Sequence, residues 1–325
     1  MKLAISPTLP GLGAGDIAQL CRQAEAIGYS EAWIAEVAGP ESFATAAAIA
    51  AATEDMTIGT AVVPATTRTP ALLAMAAATV SQVAGGRRFS LGIGASSELI
   101  VSQWHGQSFD RPLRWVRETV EATRAALAGQ RDYAGQLVTM GKFSLTAPAP
   151  GPIDLYVGAL NPAMLRVAGA VGDGVCLNLM APEVVGRQLV EIEAGAQKAG
   201  RALPDDFGVM ARLHIVVNDD VDEARQIIRA AFGPYFAQPV YNRFLGWCGF
   251  SEAAEAIAAA FAAGDRNGVA AALSDEVVDA VALVGPLGRV KDRLVEYADA
   301  GIGTAALNAI APSGEAVLAA LRSLL

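Results

Sequence analysis

Short apolar runs alternate along this chain with longer stretches in which apolar residues recur every three or four positions. Runs of the first kind read as strands and those of the second as helices. Leu3–Ser6, Glu31–Ala35, Met56–Val63, Phe89–Ile93, Ile153–Val157, Val175–Leu177, Phe207–Val217 and Thr304–Asn308 are of strand type. Helical patterns fill Asp16–Ile27, Glu41–Thr53, Pro70–Val83, Leu113–Leu127, Pro182–Ala199 and Ser313–Leu325, and Gly28 stands where a helix C-terminal glycine is expected. Two departures interrupt the rhythm. Residues 131–146 predict a small hairpin, and residues 219–280 predict a helical insertion between strands seven and eight, before Gly285-Pro286 opens a helix to Ala300. The alternation predicts a single α/β domain over 1–325, a (β/α)8 TIM barrel. A doubly wound open sheet would want a G-x-G-x-x-G turn after the first strand, which Pro7–Gly15 does not supply.

The stretch Ile153–Cys176 is the most informative. An apolar strand ends at Val157, Gly158-Ala159-Leu160 forms a turn of small bulk at its start, and Asn161-Pro162 opens a helix. Asn161 is a good N-cap, and proline is tolerated in the first turn because its N–H would be orphaned there. Gly172-Asp173-Gly174 stops the helix and a further strand follows, which completes a parallel βαβ unit. Amides at the start of such a helix, with its dipole, favour an anion, most naturally a phosphate.

A barrel places its chemistry at the C-terminal ends of its strands. That rule selects Glu36, Thr60-Ala61-Val62, Gly94-Ala95-Ser96, Gly158–Asn161 and Asn178. Glu36 is expected either to exchange a proton at the mouth or to close its strand end with an ion pair. His105 lies in a loop at the same face and His214 in an apolar strand that reads as core; the two are too far apart in sequence to suggest a metal site. No G-x-S-x-G is present, so a hydrolase nucleophile has no support. Phe232, Tyr235, Phe236, Tyr241, Phe244, Trp247 and Phe250 crowd into the insertion, either as a substrate wall or as a seal against the barrel.

Composition narrows the partners. Hydrophobic residues make up 53% of the chain and the net charge is −9, which disfavours nucleic acid and anionic lipid. The three cysteines form no CxxC, and Cys21 and Cys176 read as core. No apolar run is long enough to span a membrane, and the N-terminus reads as a first strand, so a cytoplasmic protein with a small-molecule substrate is expected. The alanine-rich second and third helices suggest a homodimer.

Several segments, in their order and spacing, resemble the luciferase-like monooxygenase superfamily, specifically its members that use the deazaflavin coenzyme F420. They are Ala32–Glu36, Ile58–Val62, Gly85–Gly94, Trp104-His105-Gly106 with Arg111–Leu113, Val157–Ala159 through Gly174, and Gly285-Pro286 with Tyr297 and Gly301. The resemblance implies a barrel whose cofactor ring lies against a bulge at Thr60-Ala61-Val62, where the family often holds a non-proline cis peptide. It implies ring contacts from Gly94-Ala95-Ser96 and phosphate contacts from Gly158, Ala159, Leu160 and Asn161. Hydride would pass between the cofactor and an organic substrate, with Glu36 as proton donor by position. Glu36 resembles the methylenetetrahydromethanopterin-reductase-like branch rather than the alcohol and sugar-phosphate dehydrogenases. The same scaffold also serves FMN, so an FMN-dependent monooxygenase or reductase stands as the second reading, and a non-catalytic barrel as the third. Arg68, Arg166 and Arg187 are the candidates to face the acidic tail of F420.

Overall fold

The computed structural model describes residues 1–325. Eight strands close into a parallel barrel: β1 (Lys2–Ile5), β2 (Glu31–Ile34), β3 (Thr57–Thr60), β4 (Phe89–Gly94), β5 (Ile153–Gly158), β6 (Gly174–Asn178), β7 (Gly208–Val217) and β8 (Thr304–Ala309). Each pairs with the next, and β8 returns to β1 with Lys2 opposite Thr304 and Ile5 opposite Leu307. The β6–β7 register sets Asn178 opposite Arg212, and the β7–β8 register sets His214 opposite Asn308.

Helices α1 (Ala14–Ala26), α2 (Ser42–Ala52), α3 (Pro70–Val83), α4 (Pro112–Leu127), α5 (Pro162–Val171) and α6 (Pro182–Lys198) follow successive strands around the barrel. Their starts carry the expected signals. The Glu41 carboxylate accepts from Ala44 N–H at 2.7 Å to cap α2, and Thr69 caps α3 ahead of Pro70. The insertion holds α7 (Val221–Phe236), α8 (Pro239–Trp247), α9 (Ser251–Ala262), α10 (Arg266–Ala272) and α11 (Asp275–Val281), and α12 (Leu287–Asp299) and α13 (Gly314–Leu324) complete the shell. Arg225 on α7 bonds Asp279 at 2.6 Å and Asp275 at 2.9 Å, which ties the two ends of the insertion together.

Three local features differ from the sequence expectation. Strand three stops at Thr60 and resumes as a short bridge, Val63–Pro64, beside β4, with a bulge between. A short strand, Leu283–Gly285, that the sequence did not announce pairs with the end of β7 just before the helix that opens at Pro286, as expected. Within the loop after β4, Leu99–Trp104 forms a π-helical turn. The hairpin is present as Tyr133–Ala134 against Thr139–Met140, and its turn is gripped by the buried Glu118 carboxylate, which accepts from Gln136, Leu137 and Val138 N–H at 3.1, 2.7 and 3.0 Å.

The main core lies between strands and helices and continues into the insertion through Phe232, Phe236 and Phe244. A second, smaller cluster plugs the barrel interior: Ala4, Trp33, Cys176, Met210 and Ala306, with Tyr156 set edge-on to Trp33 at 5.1 Å. Large aromatic rings close the middle of the barrel, so the open space at its C-terminal end is a cup with a floor.

Candidate active site

That cup is a cavity of about 360 Å³, a size suited to a small organic ligand. Eleven of the twelve candidate residues face it: Glu36 after β2, Ala61 and Val62 in the bulge, Gly94, Ala95 and Ser96 at the end of β4, Gly158, Ala159, Leu160 and Asn161 at the end of β5, and Asn178 at the end of β6. Thr60 does not. It is fully buried, and its hydroxyl both donates to Gly92 C=O and accepts from Gly92 N–H, each at 2.9 Å, which stitches β3 to β4 behind the bulge.

The bulge turns on a cis peptide between Ala61 and Val62. Val62 then packs where neighbouring Cβ atoms would stand. A Cβ on Gly158 would come within 2.9 Å of Val62 Cγ2, and one on Gly94 would collide with it outright. The glycines at these two strand ends are therefore what lets the bulge seat, and they leave the β4–β5 wall with bare backbone. Ser96 at the end of β4 takes a left-handed φ of 61°, which turns the chain away from the barrel over the mouth.

Asn161 occupies the N-cap position of α5, as expected, but does not cap it with its side chain. Its Nδ2 instead donates to Val240 C=O at 3.2 Å, which ties the turn to α8. Met164 and Leu165 N–H turn back onto Asn161 C=O, so Leu160, Asn161 and Ala163 carry the amides without a protein acceptor at this helix start. An anion fits that arrangement, and it lies on the same cavity as Glu36 and Ala61.

Glu36 is held at the rim. Arg68 donates to both of its oxygens, at 2.7 and 2.8 Å, and Ser42 N–H adds a third bond at 3.1 Å. Arg68 also reaches Glu41, so two carboxylates share one guanidinium. The strand-closing ion pair weighed for Glu36 is thus present, and Glu36 also lines the cavity.

None of Arg68, Arg166 and Arg187 lines the cavity. Arg166 pairs with Glu191 at 2.6 Å, and Arg187 stacks over Trp247 at 4.3 Å from the ring centre. The arginine that does is Arg212 on β7, which sequence reasoning passed over. The signal was available, because Met210, Arg212 and His214 alternate with Ala211 and Leu213, and in a barrel strand every second side chain points inward.

His214 is fully buried, as its apolar strand implied. Its Nδ1 lies 2.9 Å from Asn308 Nδ2 and its Nε2 2.9 Å from Asn178 Oδ1, contacts that match a ring protonated on Nε2. Burial and the neighbouring Arg212 charge push its pKa well below the usual histidine range and keep the ring neutral. His105 is exposed and off the cavity, and Trp104 beside it is half exposed at the cavity mouth. Of the seven insertion aromatics, Tyr235 and Tyr241 line the cavity; Phe232, Phe236 and Phe244 belong to the core that seals insertion to barrel. Cys21 and Cys176 are buried free thiols whose pKa values burial raises, and Cys176 lies under the cavity floor.

Comparison with known proteins agrees with this geometry. The family model for the luciferase-like monooxygenase domain matches residues 4–304. The chain is 31% identical over 312 residues to a 5,10-methylenetetrahydromethanopterin reductase of Archaeoglobus fulgidus, covering 93% of this chain and 91% of that protein. It is 27% identical over 310 residues to a putative coenzyme F420-dependent oxidoreductase of Mycobacterium tuberculosis, covering 88% of each. Among solved structures, the coenzyme F420-dependent tetrahydromethanopterin reductase of Methanopyrus kandleri superposes with a TM-score of 0.82 at 25% identity, over 99% of this chain and 98% of that one. An F420-dependent secondary alcohol dehydrogenase shares the fold with a TM-score of 0.81 at 18% identity, over 100% and 98%. With its closed eight-strand barrel, its bulge after β3 and a family match over nearly its whole length, this chain belongs to the luciferase-like monooxygenase family.

Proposed function

We propose that this protein is an F420-dependent oxidoreductase that moves a hydride between the deazaflavin and a small organic substrate. The observation that carries the reading is the convergence of three features on one cavity: the open amides of Leu160, Asn161 and Ala163, the Ala61–Val62 bulge, and the bare backbone of Gly94. The amides fit the cofactor phosphate. The bulge and the Gly94–Ser96 backbone offer a flat, largely apolar wall that fits a fused ring. When bound, the deazaflavin supplies two-electron hydride chemistry. The chain's own task is then to bind, orient and exclude water, and Tyr235, Tyr241 and Trp104 do this from the insertion and the π-helical turn. Glu36, which lines the cavity beside its Arg68 pair, is the proton-handling group of this reading.

The relatives support the choice of cofactor, since those reported above are named for F420 or act as reductases. FMN is the second reading, favoured only by the generality of a phosphate-binding turn. Titration of purified protein with F420 and with FMN, read by cofactor fluorescence, tests it. Micromolar F420 binding is expected, and FMN binding without F420 binding overturns the assignment. No helix is long and apolar enough to cross a membrane. A homodimer is part of the proposal, supported by Leu72, Met75 and Val83 standing exposed on α3. Light scattering at twice the monomer mass is the expected result.

A further inference from the structure

Arg212 is a cation without a counter-ion. Its Nε donates to Ser6 Oγ at 2.9 Å and its Nη2 to Thr8 Oγ1 at 3.0 Å. A guanidinium has five N–H groups, so three of them, including both on Nη1, have no protein acceptor. No carboxylate lies within ion-pair distance of it, whereas Arg68, Arg225 and Arg229, all similarly enclosed, each bond at least one. The neutral groups around it do not compensate. His214 is locked as a neutral ring, and burial raises the Tyr241 phenol to about 12, so that phenol is not an anion at neutral pH. Burial lowers Arg212 itself to about 10, which leaves it charged at neutral pH; the residue is half-buried, and it lines the cavity. A charge enclosed in this way without a partner is costly, and a ligand that supplies the missing charge recovers that cost.

A neighbouring donor completes the arrangement. Asn178 stands opposite Arg212 on the paired strand and also lines the cavity. Its Oδ1 is taken by His214 Nε2–H, so its Nδ2 amide hydrogens are the ones left to face a ligand. His214 and Asn308 thereby act as positioning residues that fix which end of the Asn178 amide is presented. The planar fork of arginine matches a carboxylate through two parallel N–H bonds.

We propose that Arg212 and Asn178 form a carboxylate-binding subsite on the β6–β7 side of the cavity, one strand along from the amide cluster at the end of β5 that fits phosphate. The carboxylate belongs either to the substrate or to the glutamyl tail of F420, and only the second source rests on the cofactor reading above.

Calorimetric titration of the full-length protein with benzoate, with F420 and with a tail-less deazaflavin riboside tests this, in wild type, Arg212→Met and Arg212→Gln. A tenfold or greater loss of benzoate affinity in both variants, with F420 affinity unaltered, assigns the subsite to a substrate carboxylate. A tenfold loss of F420 affinity, with the riboside unaffected, assigns it to the tail. Equal affinities for every ligand in wild type and both variants overturn the proposal. A wild type that binds FMN and not F420 removes the cofactor reading but leaves the benzoate titration standing as a test of Arg212. Thermal melts of both variants show that they are folded, and the glutamine keeps a donor for Ser6.

Discussion

Two arginines stand at the cavity under opposite conditions, Arg212 lining it and Arg68 meeting it only through Glu36. Arg68, on the β2–β3 side, is saturated: it binds both oxygens of Glu36 and reaches Glu41 as well. Arg212, on the β6–β7 side, has two hydroxyl partners and no acid. A protein tolerates an enclosed charge when its partners come with the fold, as at Arg68. Where they do not, the site is left short of one partner, and the natural partner is a ligand. One rim of the cavity is therefore built for order and the other for reception.

The largest expected effect breaks the ordered side. Glu36→Gln keeps the shape of the side chain but removes the charge that Arg68 holds and the group assigned to proton handling. Turnover should fall by ~10²–10⁴, the usual share of general acid–base catalysis, while F420 affinity changes little. A fall of less than about tenfold in steady-state kcat would return Glu36 to the purely structural role of closing its strand.

Next comes the direct contrast between the two cations. Arg68→Met leaves Glu36 and Glu41 facing each other at the mouth without their shared counter-charge. The Arg68–Glu36 pair is about one-seventh exposed, at 14% for each side chain, so a cost of about 1–3 kcal/mol in urea unfolding is expected, below that of a fully buried pair. Arg212→Met removes a half-buried, unpaired charge and should leave stability within about 1 kcal/mol of wild type, or raise it. Equal losses in the two variants would mean that the hydroxyls of Ser6 and Thr8 already satisfy Arg212.

The contrast also marks what could be read from residue order alone. The eight strands, the hairpin, the insertion and the amide turn before Pro162 follow from hydrophobic period and from glycine and proline placement, which are local signals. Eleven candidate residues reach the cavity because the strand-end rule of barrels is a topological fact that needs no side-chain coordinates. Thr60 escaped it because one residue decides whether a side chain faces the mouth or the neighbouring strand, and a bulge shifts that parity. Arg212 was missed because proximity to a strand end was sought in Arg68, Arg166 and Arg187, whereas the inward alternation of β7 carried the information. The pairing of Arg68 with Glu36 joins residues 32 positions apart, and no local pattern announces it.

A third site sharpens the comparison through packing rather than charge. The bulge wall depends on Gly94 and Gly158 lying under Val62. Gly94→Ala places a methyl group where Val62 Cγ2 stands and should cost about 1–3 kcal/mol, as overpacking of a filled site does. On the proposed reading the bulge forms part of the cofactor wall, so F420 affinity should fall with it, whereas benzoate affinity, governed by the proposed Arg212 subsite, should not. Parallel losses of both would show that the two walls do not act independently.

The smallest expected effect comes from a charge that resembles Arg212 in being enclosed and Arg68 in being satisfied. Glu118 is 4% exposed, and its partners are chiefly peptide amides of the hairpin, with Arg114 no nearer than 3.4 Å. Burial alone would raise its pKa, but the N–H groups of Leu137, Val138 and Gln136, with Arg114, outweigh that and hold it below the usual carboxylate range. The sign follows from that direction. A carboxyl lowered on folding contributes stability that is fully present above its unfolded value of about 4.3 and is lost as pH falls through the folded one. Glu118→Gln should therefore lose about 1 kcal/mol at pH 7 and less at pH 3, where the wild type has begun to lose the same contribution. Urea midpoints at the two pH values measure the difference. A variant equally destabilised at both would show that fixed backbone dipoles contribute shape rather than charge at this site, and the view that Arg212 lacks something its two hydroxyls cannot give would lose its nearest internal precedent.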